Sequence, residues 1–151
     1  MKLQAICGIL LFLFVSLHSC VKEEDLDNVI LDPKGIVVKL QWTNKINPPT
    51  KGADFDLYVS KDNGISILNS TSTSSFEEII IENGDLANGT YDIEVLVDDI
   101  NTPTNYTVTI QGIESKKAYT LSYIDVKVSD KNVYLDPGSI VVNTNKYTIL
   151  Q

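Results

Sequence analysis

Gly89-Thr90-Tyr91-Asp92-Ile93-Glu94-Val95-Leu96-Val97 decides the fold class. Tyr91, Ile93, Val95 and Val97 share one parity, and Asp92, Glu94 and Leu96 share the other. Successive side chains of a strand point to opposite faces, so this spacing predicts a strand with one buried face and one wet face. Asn88-Gly89 in front of it tolerates the positive φ of a tight turn and marks where the strand starts.

The same two-residue period repeats on either side. Upstream, Ile36, Val38, Leu40 and Trp42 alternate with Val37, Lys39 and Gln41, after a turn at Asp32-Pro33. Phe55, Leu57 and Val59 alternate with Asp54, Asp56 and Tyr58. Asp62-Asn63-Gly64 predicts a hairpin, with residues 65–68 returning as a third strand. Residues 69–75 form a Ser/Thr run that reads as a loop, and residues 76–82 read as a strand ended by Asn83-Gly84. Downstream, Tyr106, Val108 and Ile110 alternate with threonines. The apolar parity of residues 118–128 switches near Tyr123-Ile124, which predicts a bulge or a change of sheet. Residues 133–135 and 140–142, separated by Asp136-Pro137-Gly138, and residues 147–150 complete the pattern as short strands. No stretch of ten residues keeps a helical period. The expectation is an all-β chain folded as a single β-sandwich, jelly-roll or immunoglobulin-like, of eight or nine strands over residues 35–151. Trp42 and Tyr91 are its largest expected core pieces. Leu31-Asp32-Pro33 and Leu135-Asp136-Pro137 echo one another and read as two similar turn-to-strand entries.

The first residues are built differently. Lys2 is followed by an apolar run over residues 5–17, the layout of a secretory signal peptide. The run is shorter than the roughly 20 apolar residues that span a bilayer. Leu17-His18-Ser19-Cys20 resembles the lipobox of bacterial lipoproteins, which implies a signal peptide over residues 1–19 and a lipidated Cys20 as first mature residue. An unpaired exported thiol would otherwise be a reactive liability, because no cysteine follows Cys20. Residues 20–34 are expected to hold that cysteine and an acidic tether, with residues 21–28 as its extended part. Lys22-Glu23-Glu24 resembles the surface-export signal of lipoproteins of the Bacteroidota, which implies an outer-membrane protein displayed at the cell surface, the periplasmic face being the alternative.

Composition removes function classes. The formal net charge is −8, and the eleven lysines after Lys2 against 20 acids give −9 for residues 20–151. Nucleic-acid affinity comes from neutralising phosphates, so no nucleic-acid partner is expected. There is no arginine, the residue that grips carboxylate and phosphate bidentately, and the single histidine, His18, precedes Cys20. Ser–His and Cys–His catalysis therefore have no base, and a tetrahedral zinc site lacks its usual ligands.

A second resemblance covers the middle of the chain. Leu40-Gln41-Trp42, Asp54-Phe55-Asp56-Leu57-Tyr58-Val59, Gly89-Thr90-Tyr91-Asp92-Ile93-Glu94-Val95 and Tyr106-Thr107-Val108 resemble the bacterial pre-peptidase C-terminal domain. That family is a small non-catalytic jelly-roll-like sandwich appended to secreted enzymes, so the resemblance implies this fold and a binding role. The residues after Gly112 extend past it.

Carboxylates remain as candidate chemistry. Glu77-Glu78 and Asp98-Asp99 are adjacent pairs, expected to point to opposite faces and so not to act together. Asp54, Asp56 and Tyr58 share a face at the mouth of the loop over residues 44–52 and form the first-choice ligand or calcium patch. No enzyme activity and no cofactor other than calcium are expected. The function expected is a binding or scaffolding module for glycan, matrix or partner protein, anchored to the membrane. The alternatives are a carboxylate-dependent glycan hydrolase or a structural subunit of a surface assembly.

Overall fold

A computed structural model describes residues 26–44, 52–61, 64–72 and 74–151. They form ten strands: β1 (Val29–Leu31), β2 (Gly35–Asn44), β3 (Ala53–Lys61), β4 (Ile65–Ser70), β5 (Phe76–Glu82), β6 (Gly89–Ile100), β7 (Thr104–Gly112), β8 (Ala118–Val126), β9 (Tyr134–Asn143) and β10 (Lys146–Leu150). A single 3-10 turn, Val128–Asp130, separates β8 from β9. No helix among the described residues is long and apolar enough to cross a membrane.

Two antiparallel sheets face one another. One runs β1-β10-β9-β6-β3-β4 and the other β5-β2-β7-β8. The alternating sets supply both inner faces: Phe55, Leu57, Val59, Tyr91, Ile93, Val95 and Val97 from the first sheet, and Ile36, Val38, Leu40, Trp42, Tyr106, Val108 and Ile110 from the second. Trp42, Phe55 and Tyr106 join them, with ring centroids 5.3 Å apart for Trp42–Phe55 and 5.7 Å for Phe55–Tyr106. Trp42 and Tyr91 are buried as expected. The largest side chains almost wholly shielded from solvent are Tyr106, Tyr147 and Phe55.

The strand count exceeds the eight or nine expected, because the sandwich does not begin at residue 35. Ile30 is fully buried, and Val29, Ile30 and Leu31 pair with Thr148, Tyr147 and Lys146 of β10. Residues 29–34, expected in the tether, therefore belong to the domain. β4, expected over residues 65–68, extends through Ser70 into the stretch expected to be a loop.

The last third departs in the other direction. Asp136-Pro137-Gly138 is no turn between strands; it lies inside β9. Ile93 pairs with Gly138 and Val95 with Leu135, so β9 carries one extra residue against β6. Proline and glycine suit a bulge, where a ladder N–H is not needed and the backbone bends. Gly138 has φ +149°, and a Cβ there would lie 2.3 Å from the carbonyl oxygen of Leu150. The echo of Asp32-Pro33 thus has two different structural meanings, a strand-to-strand turn and a bulge. The parity switch of β8 is likewise a bulge: Tyr106 pairs with Tyr123 and Thr104 with Val126, and Asp125 takes φ +67°.

The turn at Asp32 ties three connections together. Its Oδ1 accepts the backbone N–H of Lys34 (2.9 Å) and Gly35 (3.2 Å), and its Oδ2 accepts those of Glu114 (2.7 Å) and Ser115 (2.7 Å). The Asp32 N–H donates to the Asn145 carbonyl at 2.9 Å. The carboxylate has no exposed surface. Burial raises its pKa, but the converging N–H donors outweigh that and leave it below 3.8.

Candidate functional site

The outer face of the six-stranded sheet carries the candidate patch. Asp54, Asp56 and Tyr58 alternate with the buried Phe55, Leu57 and Val59, so they share that outer face. The loop beside them, residues 45–51, lies outside the described residues. Its far end is pinned, since the Gly52 carbonyl accepts the N–H of Asn101 (2.7 Å) and Thr102 (3.3 Å). Cys20, Lys22, Glu23 and Glu24, the residues expected to carry the lipid and the export signal, also lie outside the described residues.

Strand order brings in a residue that the sequence did not mark. In the order β9-β6-β3, Tyr134 pairs with Leu96 and Leu96 pairs with Asp56. The rings of Tyr58 and Tyr134 meet edge to face with centroids 5.7 Å apart, a favoured aromatic geometry. Tyr134 is 55% exposed. The outer face thus presents two tyrosines and Leu96, with Asp56 opposite Leu96 and Glu94 opposite Tyr58. A clue was present in the even spacing of Leu96 with Asp92 and Glu94, an apolar residue among acids.

Each acid of the face has its own surroundings. Glu94 accepts a hydrogen bond from Ser60, and Asp92 accepts one from Ser139 at 2.8 Å. Asp54 pairs with Asp99 and Phe55 with Val97, which leaves Asp98 as an extra residue of β6. The expectation that Asp98 and Asp99 point to opposite faces fails at this bulge. Val97 and Ile100 are the buried residues, and both aspartates stay out of the core. Asp99 meets Lys131 at 2.7 Å, which holds its carboxyl low. Glu77 and Glu78 do alternate: Glu77 is 2% exposed and accepts the hydroxyls of Ser70 and Ser72, both at 2.5 Å, while Glu78 pairs with Lys39 at 3.4 Å. Part of the Ser/Thr run expected to be a loop therefore caps a buried carboxylate.

Asp56 is the perturbed group. Partial burial, then the nearby charges of Asp98, Asp54 and Glu77, push its pKa from 3.8 up to about 6. Burial first, then Asp56 and Tyr134, also raise the Tyr58 hydroxyl. The raised pKa means that the folded chain binds a proton at Asp56 that the unfolded chain has released between pH 4 and 6. That contribution stabilises the fold below pH 4 and is lost as pH rises through 6. Asp56→Asn should therefore stabilise the domain at pH 7.5 by about 1 kcal/mol once solvent screening is allowed for, and leave it unchanged near pH 4. Thermal melts of both proteins at the two pH values check this; an equal gain at both would mean that charge is not the cause.

Among the described residues, no three His, Cys, Asp or Glu side chains converge as a metal site. Asp54 and Asp56, the expected calcium ligands, are therefore not joined by a third acid into one. An open depression of about 350 Å³, lined by Pro33, Lys34, Glu82, Asn83 and Ile113, lies where β2 begins and not at the tyrosine face. No protein-family model, no curated protein and no solved structure matches the chain.

Proposed function

We propose that this is a lipid-anchored outer-membrane lipoprotein whose sandwich is a non-catalytic binding or scaffolding module at the cell surface. The ligand is a glycan, a matrix component or a partner protein, taken on the outer face of the six-stranded sheet. The observation that carries the reading is the Tyr58–Tyr134 pair beside Asp56 on an open sheet face. Aromatic rings supply flat apolar area with a polar tip, suited to sugar rings and to protein anchors. An acid whose charge costs stability is a candidate for a site shaped by binding.

The position of the face fits a tethered binder. Residues 20–28 lead into β1 at one edge of the sheet, and the face centres on β3 and β9, clear of that edge strand. The resemblance to the pre-peptidase C-terminal domain supports the same role, and the lipobox supports the anchor. A carboxylate-dependent hydrolase is the weaker reading, because the neighbouring acids of this face, Glu94 and Asp92, are engaged by the hydroxyls of Ser60 and Ser139.

A binding screen tests the proposal. Calcium and a panel of host and microbial glycans should include one that raises the melting temperature of the wild-type protein by mass action. The Asp54→Ala, Asp56→Ala, Tyr58→Ala triple variant, and Tyr134→Ala alone, should lose that shift. Glycan cleavage by the wild type that one carboxylate substitution abolishes would replace the binder with an enzyme.

A further inference from the structure

A sheet edge offers unpaired N–H and C=O groups, and natural proteins guard such edges with charge, proline, bulges or shortness. Four strands here are edges: β1, β4, β5 and β8. β1 is three residues long. β5 carries Glu77, Glu78 and Glu82. β8 holds the bulge at Asp125 and is flanked by Lys116, Lys117 and Lys127.

β4 is guarded least. Residues 64–76 contain no charged residue and no proline. Among the described residues the other uncharged stretch of this length, residues 100–113, includes β7, which is covered on both sides by β2 and β8. Ile65 and Ile67 of β4 are 63% and 45% exposed. Two devices protect it: a register shift that leaves Ile67 as an extra residue against Val59 and Ser60 of β3, and β5 at its far end, where the Ser70 hydroxyl donates to Glu77.

We infer that the free edge of β4 pairs antiparallel with β4 of a second copy of this chain, joining two six-stranded sheets into one. The charge distribution selects that occupant. At a formal net charge of −8, copies repel one another over most of their surface, and this edge is the one of useful length where like charges do not meet. A two-fold axis through Ser66 sets Ile65 of each copy opposite Ile67 of the other, so the two exposed isoleucines become cross-strand neighbours. This register pairs only residues 65–67 of the two β4 strands, a seam small for a stable complex in solution. Confinement on one membrane would supply the effective concentration it lacks. That last step rests on the proposed lipid anchor; the pairing itself does not.

Cysteine cross-linking on the full chain tests the pairing. Cys7 and Cys20 are the only cysteines of the chain, so oxidation of the wild type gives the background. Residues directly opposite across antiparallel strands lie within disulfide reach. Ser66→Cys, oxidised with copper phenanthroline in isolated membranes and again at high concentration in mild detergent, should give a dimer above background. Adding Ile67→Lys should reduce that dimer at least tenfold with the melting temperature preserved. Gln41→Cys, on the outer face of the other sheet, should stay monomeric. Cross-linking of Gln41→Cys as strong as that of Ser66→Cys would mean random collision and overturn the inference. So would a monomeric Ser66→Cys under both conditions, or a cross-linked product of another mass, which would mark a different protein's strand on this edge. None of these outcomes depends on the ligand screen.

Discussion

Asp32→Ala is expected to lower the stability of the domain by about 3–5 kcal/mol, the range seen when one member of a buried charged network is removed. Four backbone N–H groups, from Lys34, Gly35, Glu114 and Ser115, lose their shared acceptor at once. Gly112 makes room for the carboxylate, since a Cβ there would lie 2.6 Å from Asp32 Oδ2. Asp32→Asn should lose less, since one acceptor oxygen remains. The lowered pKa of Asp32 sets the pH dependence. Its stabilising contribution is present above pH 3.8 and is lost as pH falls towards the lower folded-state value. Urea titrations at pH 7 should show the full deficit of Asp32→Ala, and the deficit should shrink at pH 3. A deficit below 1 kcal/mol at pH 7 would mean that water replaces the carboxylate at no great cost.

Trp42→Ala is expected to cost about 3–5 kcal/mol as well, from lost apolar contact and the cavity left behind. That is a large share of the about 5–15 kcal/mol typical of a domain. Trp42 touches Phe55 across the sandwich, and its Nε1–H donates to the Ala53 carbonyl at 3.0 Å, so it fixes both sheets at one end. Tyr106 gives the contrasting case. Its ring stacks on Tyr123 with centroids 5.0 Å apart, but its buried hydroxyl has no hydrogen-bond partner among the described residues. Tyr106→Phe should therefore be neutral or stabilising. Chemical denaturation followed by Trp42 fluorescence measures Tyr106→Phe, and circular dichroism follows Trp42→Ala. A change of a few tenths for Trp42→Ala would mean that the two sheets do not depend on this contact.

The central strands were legible because their burial is one-sided. In β2, β3 and β6 every second residue is apolar, and period two is the direct imprint of a sheet with one wet face. What the sequence hid has two physical origins. Turn and bulge use the same residues, so Asp136-Pro137-Gly138 reads as a chain reversal although it bends one continuous strand. Other features depend on residues far apart. β1 is too short to show a period, and it exists because β10 lies beside it. Asp32 looks like any turn aspartate until Glu114 and Ser115, 82 and 83 residues away, donate to it. The candidate face divides in the same way. Asp54, Asp56 and Tyr58 share a face by parity alone, whereas Tyr134 joins them only through the strand order β9-β6-β3.

The proposal of a tethered binder stands or falls first on its anchor. The most direct measurement is the partition of the full chain and of Cys20→Ala between membrane and soluble fractions after a high-salt wash, with the mass of the mature N-terminus read in parallel. The account predicts that the wild type stays with the membrane and begins at an acylated Cys20, ahead of Lys22, Glu23 and Glu24, and that Cys20→Ala is released. A Cys20→Ala protein that remains wholly with the membrane, or a wild-type N-terminus without lipid, would contradict it.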